Sequence, residues 1–278
     1  MAMMRLLVAA LVAYAHGAYC HKYVMISRGR SGSEIESLAI AALTKSSDLG
    51  REVMGANNAQ MAAVKDPLKR MQEWFTKMCT ENPKSYLVGF KFKPYIKVNE
   101  TGFATDSKWT DVFAWLKAQN ASIVHNDRNS LDKIISGAFY NASTGHSAAH
   151  CHAGNKECVA QHKNARFKVG TEELASRLRK MESDRTNTLA LLDRFGFRML
   201  KVTYETLLLS KADTRLAAWK DLIAFLAPRE TFTEADLTRA LQSTERTSSN
   251  HQRDRVSNYD EVVETLAKTP YAHLLHRA

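Results

Sequence analysis

The sequence predicts an α/β fold in which a parallel sheet carries helices on both faces. Three observations point there. Short apolar or β-branched runs alternate with helix-period segments along the chain, two of those runs end in basic turns, and each basic turn opens straight into a helix. In such sheets the ligand lies beyond the carboxyl ends of the strands.

The first unit is Tyr23 to Glu34. The run Tyr23, Val24, Met25, Ile26 stops at a basic turn containing Gly29 and Gly32, and an apolar-periodic segment follows with Ile35, Leu38, Ala39, Ala42 and Leu43 on one face. Ser31 or Ser33 supplies the helix cap. A strand–loop–helix turn of this kind gathers backbone N–H groups and the positive end of a helix dipole, and Arg28 and Arg30 add full charges, so it predicts an anion site. It is not the nucleoside triphosphate loop, because the stretch Arg30-Ser31-Gly32-Ser33 lacks a following Gly-Lys-Ser/Thr.

Residues Asn57 to Asn82 read as an amphipathic helix bearing Met61, Val64, Leu68, Met71, Trp74, Phe75 and Met78, a stripe that belongs to a core. Pro83 ends it, and Ser85 to Phe92 reads as a buried strand. A helix spans Trp109 to Gln119. A further strand then runs into Arg128, and a helix with Leu131, Ile134 and Ile135 carries Ser136 about two turns on. Thr171 to Arg194 forms a long helix stopped by Gly196, Phe197 to Thr203 a strand, and the segment around Trp219, Leu222, Ile223, Phe225 and Leu226 a helix that ends before Pro228.

The chain of 278 residues is long enough for a substantial core, and 39 Lys+Arg against 29 Asp+Glu give a formal net charge of +10. That balance favours anionic ligands. Nucleic acid is disfavoured, since no zinc finger, heptad-linked basic region or aromatic-basic signature is present. Residues 1–20 have the layout of a secretory signal: Arg5, an apolar run from Leu6 to Ala15, then Gly17, Ala18 and Cys20. Such a run is short of the roughly 20 residues that cross a bilayer, so a cleaved signal is favoured over a signal anchor. The sequons at Asn99, Asn120 and Asn141 fit the same route.

Cys20 would leave with a cleaved signal and Cys79 stands alone, whereas Cys151 and Cys158 are spaced to close a small disulfide loop. That loop lies in a polar insertion, Tyr140 to Lys163, with His146, His150, His152 and His162. The spacing fits no structural zinc pattern, so no metal is expected, and the insertion is assigned to acceptor recognition.

Taken together, Arg30-Ser31-Gly32-Ser33 after the first strand, Arg128 with Ser136 eight residues later, and Tyr204-Glu205-Thr206-Leu207-Leu208 resemble the sulfotransferases that use 3′-phosphoadenosine-5′-phosphosulfate (PAPS), in their carbohydrate and tyrosylprotein branches. The resemblance covers nearly all of residues 21–278 and implies a three-layer fold like that of the P-loop nucleotide hydrolases. It implies that Arg30, Ser31, Gly32 and Ser33 hold the 5′-phosphosulfate and that Arg128 and Ser136 hold the 3′-phosphate, where a forked guanidinium matches phosphate oxygens. Glu52 then corresponds to the general base and Lys91, in a Gly-Phe-Lys element, to the cation that assists the leaving phosphate. Glu34 departs from the pattern, standing where the family has a hydroxyl residue, and is expected to turn outward.

The function implied is transfer of the sulfuryl group to a hydroxyl of a carbohydrate or other secretory-pathway acceptor, in the Golgi lumen or after secretion, without metal. Membrane association would come only through an uncleaved N-terminal anchor. The competing reading is a non-catalytic binder of sulfated or anionic glycans on the same fold, which accounts for the basic charge and the signal without chemistry. Either Arg253 or Arg255 in the tail could reach the cofactor.

Overall fold

The structure is a computed structural model that describes residues 20–27, 31–44, 46, 52–54, 64–81, 87–93, 104–142, 165–242 and 251–275. Four strands are described: β1 (His21–Ser27), β2 (Leu87–Phe92), β3 (Ser122–Asp127) and β4 (Met199–Thr203). They form one sheet in the order β2-β1-β3-β4, every pair parallel. All four carboxyl ends therefore lie along one edge. The chain leaves β1 outward to β2 and then crosses back to β3, so the direction of winding reverses between β1 and β3. That is the topological switch point, where the edge opens into a crevice.

Helices cover both faces. Strand residues alternate in direction, so Tyr23 and Met25 of β1, with Leu87 and Val124, share one face. Against it pack α1 (Ser33–Thr44), α6 (Ala212–Leu226) and α7 (Glu234–Gln242). Val24, Ile26, Val88, Phe90 and Phe92 take the other face, under α2 (Pro67–Glu81), α3 (Ser107–Ala118) and the C-terminal half of α5 (Leu174–Arg194). Trp219 is fully buried in α6 and its indole N–H donates to the Leu207 carbonyl at 2.9 Å, so the largest core side chain has its polar atom satisfied. A third cluster joins α4 (Ser130–Ala142), the start of α5, α8 (Gln252–Arg255) and α9 (Tyr259–Ala267) around Leu131, Ile135, Leu178 and Val262. Among the described residues, no helix is long and apolar enough to cross a membrane.

Three sequence expectations are corrected here. The described part of the helix expected from Asn57 begins at Pro67. Asp66 caps it by accepting the Lys69 N–H at 2.8 Å, and proline suits the first helical position, so Val64 packs into the core from the segment ahead of the helix. In α1 the inner face is Glu36, Ser37, Ala39, Ile40 and Leu43, while Leu38 and Ala42 are exposed. The helix is rotated from its apolar phase because two polar residues, Glu36 and Ser37, face the strand ends. The third correction concerns cysteine. Cys79 is not alone but forms a disulfide with Cys20, across a sequence separation of 59, and Cys20 is buried beside β1 as part of the folded unit. Residues 1–19, and Cys151, Cys158 and the histidines of the insertion, lie outside the described residues.

Candidate functional site

The site is built from the ends of β1, β2 and β3. After β1 the described loop residues are Ser31 and Gly32, and α1 starts at Ser33; Arg30 lies outside the described residues. Gly32 has φ +81°, a left-handed conformation that glycine adopts without cost, and its carbonyl accepts the Glu36 N–H at 3.2 Å. Ser31 and Ser33 are buried, and the first N–H groups of α1 have no partner within the helix. Glu34 is exposed, yet its charge acts on Lys91 of the same site.

Gly32 also marks a close approach. A Cβ there would run into the ring of Tyr204, the residue that follows β4. The guanidinium of Arg128, which follows β3, lies over that same ring at 4.1 Å from its centroid. One aromatic ring thus joins the turn after β1 to the arginine after β3. Gly32→Ala is expected to cost about 1–3 kcal/mol, from strain at positive φ and the displaced ring, measured as a lower denaturant midpoint. An unchanged midpoint would mean that Tyr204 yields freely and does not hold the two elements together.

Lys91 and Glu52 form the second part. Lys91, buried in β2, pairs in register with Met25, so it shares the face on which α1 lies. Its Nζ is 3.9 Å from Oε1 of Glu52, and the same oxygen lies 2.5 Å from Nζ of Lys93. Burial pushes the Lys91 ammonium below its ordinary value, opposed by Glu34, Glu52 and Glu36. Ser136 is half-buried in α4, six residues and roughly 9 Å along the helix from Ser130. The cap of α4 is Asn129. Its Oδ1 accepts the Leu131 and Asp132 N–H groups, and its own N–H donates to Glu205 at 2.9 Å, so the Tyr204-Glu205 element supports both Arg128 and the helix that carries Ser136.

Several residues of the site escaped sequence reasoning. Glu36 is wholly buried; it accepts a hydrogen bond from the Asn126 amide on Oε2. On the other face of β3, Asp127 takes Lys133 at 2.6 Å and Arg185 at 3.0 Å, and Arg185 also bonds Glu182 at 2.9 Å. Burial alone would raise the Asp127 carboxyl, but the Lys133 charge and these hydrogen bonds outweigh it and hold it below the usual carboxylate range. Burial keeps neighbouring His125 below the ordinary imidazole value. Asp127, Arg185 and His125 line a shallow, solvent-open recess together with Ile26, Ser27 and Thr188. In the tail, Arg253 is paired with Asp260 at 3.1 Å and Arg255 is buried.

Fold and site together define an open parallel α/β protein whose cationic, hydroxyl and carboxyl side chains converge at the switch point. Among the described residues, no group of three or more His, Cys, Asp or Glu gathers to hold a metal ion. No protein-family model matches the chain, and no curated protein matches it.

Proposed function

We propose that this protein is a PAPS-dependent sulfotransferase with the three-layer sulfotransferase fold, transferring a sulfuryl group to a hydroxyl of a carbohydrate or other secretory-pathway acceptor. The observation that carries the reading is the Gly32–Tyr204–Arg128 stack. It ties the turn after β1 to the arginine after β3, on the two strands that flank the switch point. In this reading the loop from Arg30 to Ser33 takes the 5′-phosphosulfate. Arg128, oriented by the Tyr204 ring, and Ser136 take the 3′-phosphate. Lys91 meets the bridging oxygen of the leaving phosphate, and its low-dielectric surroundings strengthen that interaction. Glu52 accepts the proton of the acceptor hydroxyl. The protein contributes mainly position and charge, so the displacement runs in line. The Cys20–Cys79 disulfide supports a secretory route, because such bonds persist in oxidising compartments.

One observation favours the second reading, a non-catalytic binder of sulfated glycans. Oε1 of Glu52 is already engaged by two lysines, which makes it a poorer base unless Oε2 does the work.

The test is a thermal-shift titration with 3′,5′-adenosine bisphosphate, with ADP and Arg128→Ala as controls. At about 100 times its dissociation constant the bisphosphate should add roughly 2.7 kcal/mol. ADP should act weakly, and the effect should vanish in Arg128→Ala. A flat response to the bisphosphate would remove the cofactor site and bring the glycan binder forward.

A further inference from the structure

The transfer chemistry leaves Glu36 unused. Glu36 is wholly buried in the first turn of α1; its Oε2 accepts from the Asn126 amide, while its Oε1 has no hydrogen-bond partner among the described residues. Among the other buried atoms in the same condition are Ser27 Oγ, Ser31 Oγ and Asn126 Oδ1. They are neighbours. Asn126 is the register partner of Ser27, and its amide also donates to the Ser31 carbonyl at 3.3 Å. Each such orphan costs about 1–3 kcal/mol if nothing meets it, so four around one asparagine argue for something that binds there.

The charges facing Glu36 come from every side. Lys91 approaches from β2, Arg128 from the end of β3, and Glu205 from the turn after β4. Glu34, on its own helix, is exposed, and its charge acts on Lys91. Burial and Glu205 raise the Glu36 carboxyl well above its ordinary value, and Arg128 and Lys91 only partly oppose this. A carboxylate at this spot would repel an anion held in the turn. A carboxylic acid would instead offer a donor, and with Oε2 already engaged that donor is on Oε1.

We propose that Glu36 is a neutral hydrogen-bond donor of the anion site, giving its Oε1–H to a tetrahedral oxyanion, phosphate or sulfate, held beside Ser31 and Asn126 at the start of α1. The inference deepens the sulfotransferase reading and rests on its first anion loop. It makes binding proton-linked: once the pH exceeds the Glu36 pKa, each binding event takes up one proton from water, and affinity falls by up to tenfold per pH unit. The empty protein responds in the same sense. A carboxyl raised by folding contributes less stability as pH climbs from about 4.3, its unfolded value, toward its folded value, and Glu36→Gln should remove that loss.

Infrared difference spectra of wild type minus Glu36→Gln at pH 7 provide the test. A protonated-carboxyl C=O band is expected, shifting to lower frequency when inorganic pyrophosphate or 3′,5′-adenosine bisphosphate is added. In Glu205→Gln, which keeps Glu36, the band should titrate away at a lower pH, because a facing negative charge is gone. Absence of the band, or a band that neither anion moves, overturns the proposal. A band moved by pyrophosphate alone would keep Glu36 as the donor and sink the sulfotransferase reading, whereas calorimetric binding of the bisphosphate with no band would do the reverse.

Discussion

Replacing Cys20 and Cys79 together by alanine is expected to lower stability by about 4 kcal/mol. The bond closes a loop of 59 residues that contains β1, the basic turn, α1 and most of α2, and the chain-entropy model gives that figure for a loop of this length. The structure supplies reasons for the bond to be retained. Cys20 is buried at the entry to β1 and packs in the same cluster as Met78 of α2, so the link ties a central strand to the helix covering it. For a chain of this size the loss corresponds to a fall in melting temperature on the order of 10 °C. Dithiothreitol should lower the wild-type midpoint to that of the variant and leave the variant unmoved. A shift of under 1 kcal/mol would mean that the unfolded chain is already compact around this pair, or that the cysteines are reduced in the native protein. Cys20 and Gly32 lie at opposite ends of β1, so on the sulfotransferase reading affinity for the bisphosphate should survive removal of the bond.

That disulfide also shows where sequence reading stops. The strands were legible because a parallel strand covered on both faces is a short, nearly continuous apolar run, as in Tyr23–Ile26 and Leu87–Phe92. Helices α1 to α6 were legible from their period, α7 to α9 were not read from the sequence, and errors arose where apolar period and local capping disagreed. In α2 the run from Met61 and Val64 suggested an early start that Asp66-Pro67 overrules. In α1 the apolar period pointed Leu38 inward, but the polar pair Glu36 and Ser37 occupies the inner face. Disulfide pairing depends on which helix covers which strand, and spacing alone carries no such information. The proximity of Cys151 and Cys158 in sequence therefore outweighed a partner at 59 residues.

The candidate site divides the same way. Its turn residues Ser31, Gly32 and Ser33, and Arg128 at a strand end, were picked out because each basic turn follows a strand and opens into a helix, the arrangement that gathers N–H donors. Lys91 and Glu52 were picked out separately, and the structure brings them within 3.9 Å. Glu36 was not legible, because a single acid inside an apolar helix looks like a solvated residue until the helix is rotated against the sheet. The Asp127–Lys133–Arg185 group needs a helix from far along the chain to complete it.

On the sulfotransferase reading, Glu52→Gln is expected to reduce turnover of PAPS with a hydroxyl acceptor by roughly 10²- to 10⁴-fold while leaving bisphosphate affinity within about threefold of wild type, the range a positioned general base commands. The substitution is a sharp one here for a structural reason. Glutamine keeps the oxygen that faces Lys93 at 2.5 Å, so the shape of the contact persists while charge and basicity are lost. The neighbouring ammonium responds too. Lys91 is buried and already held below its ordinary value, and Glu52 is one of the charges that oppose this, so its pKa in the variant falls further. Protonation of Lys91 should then be lost at lower pH, and with it the charge offered to the leaving phosphate. The alkaline limb of the residual activity should move toward neutrality. Turnover that survives Glu52→Gln with an unmoved limb would assign proton removal elsewhere, and the ion-paired Glu52 would be a fixture that holds two lysines. If no acceptor supports turnover in wild type, and sulfated glycan binds wild type and Glu52→Gln alike, the site binds sulfate esters without making them, and the two lysines around Glu52 serve as counter-charges for an anion that stays whole.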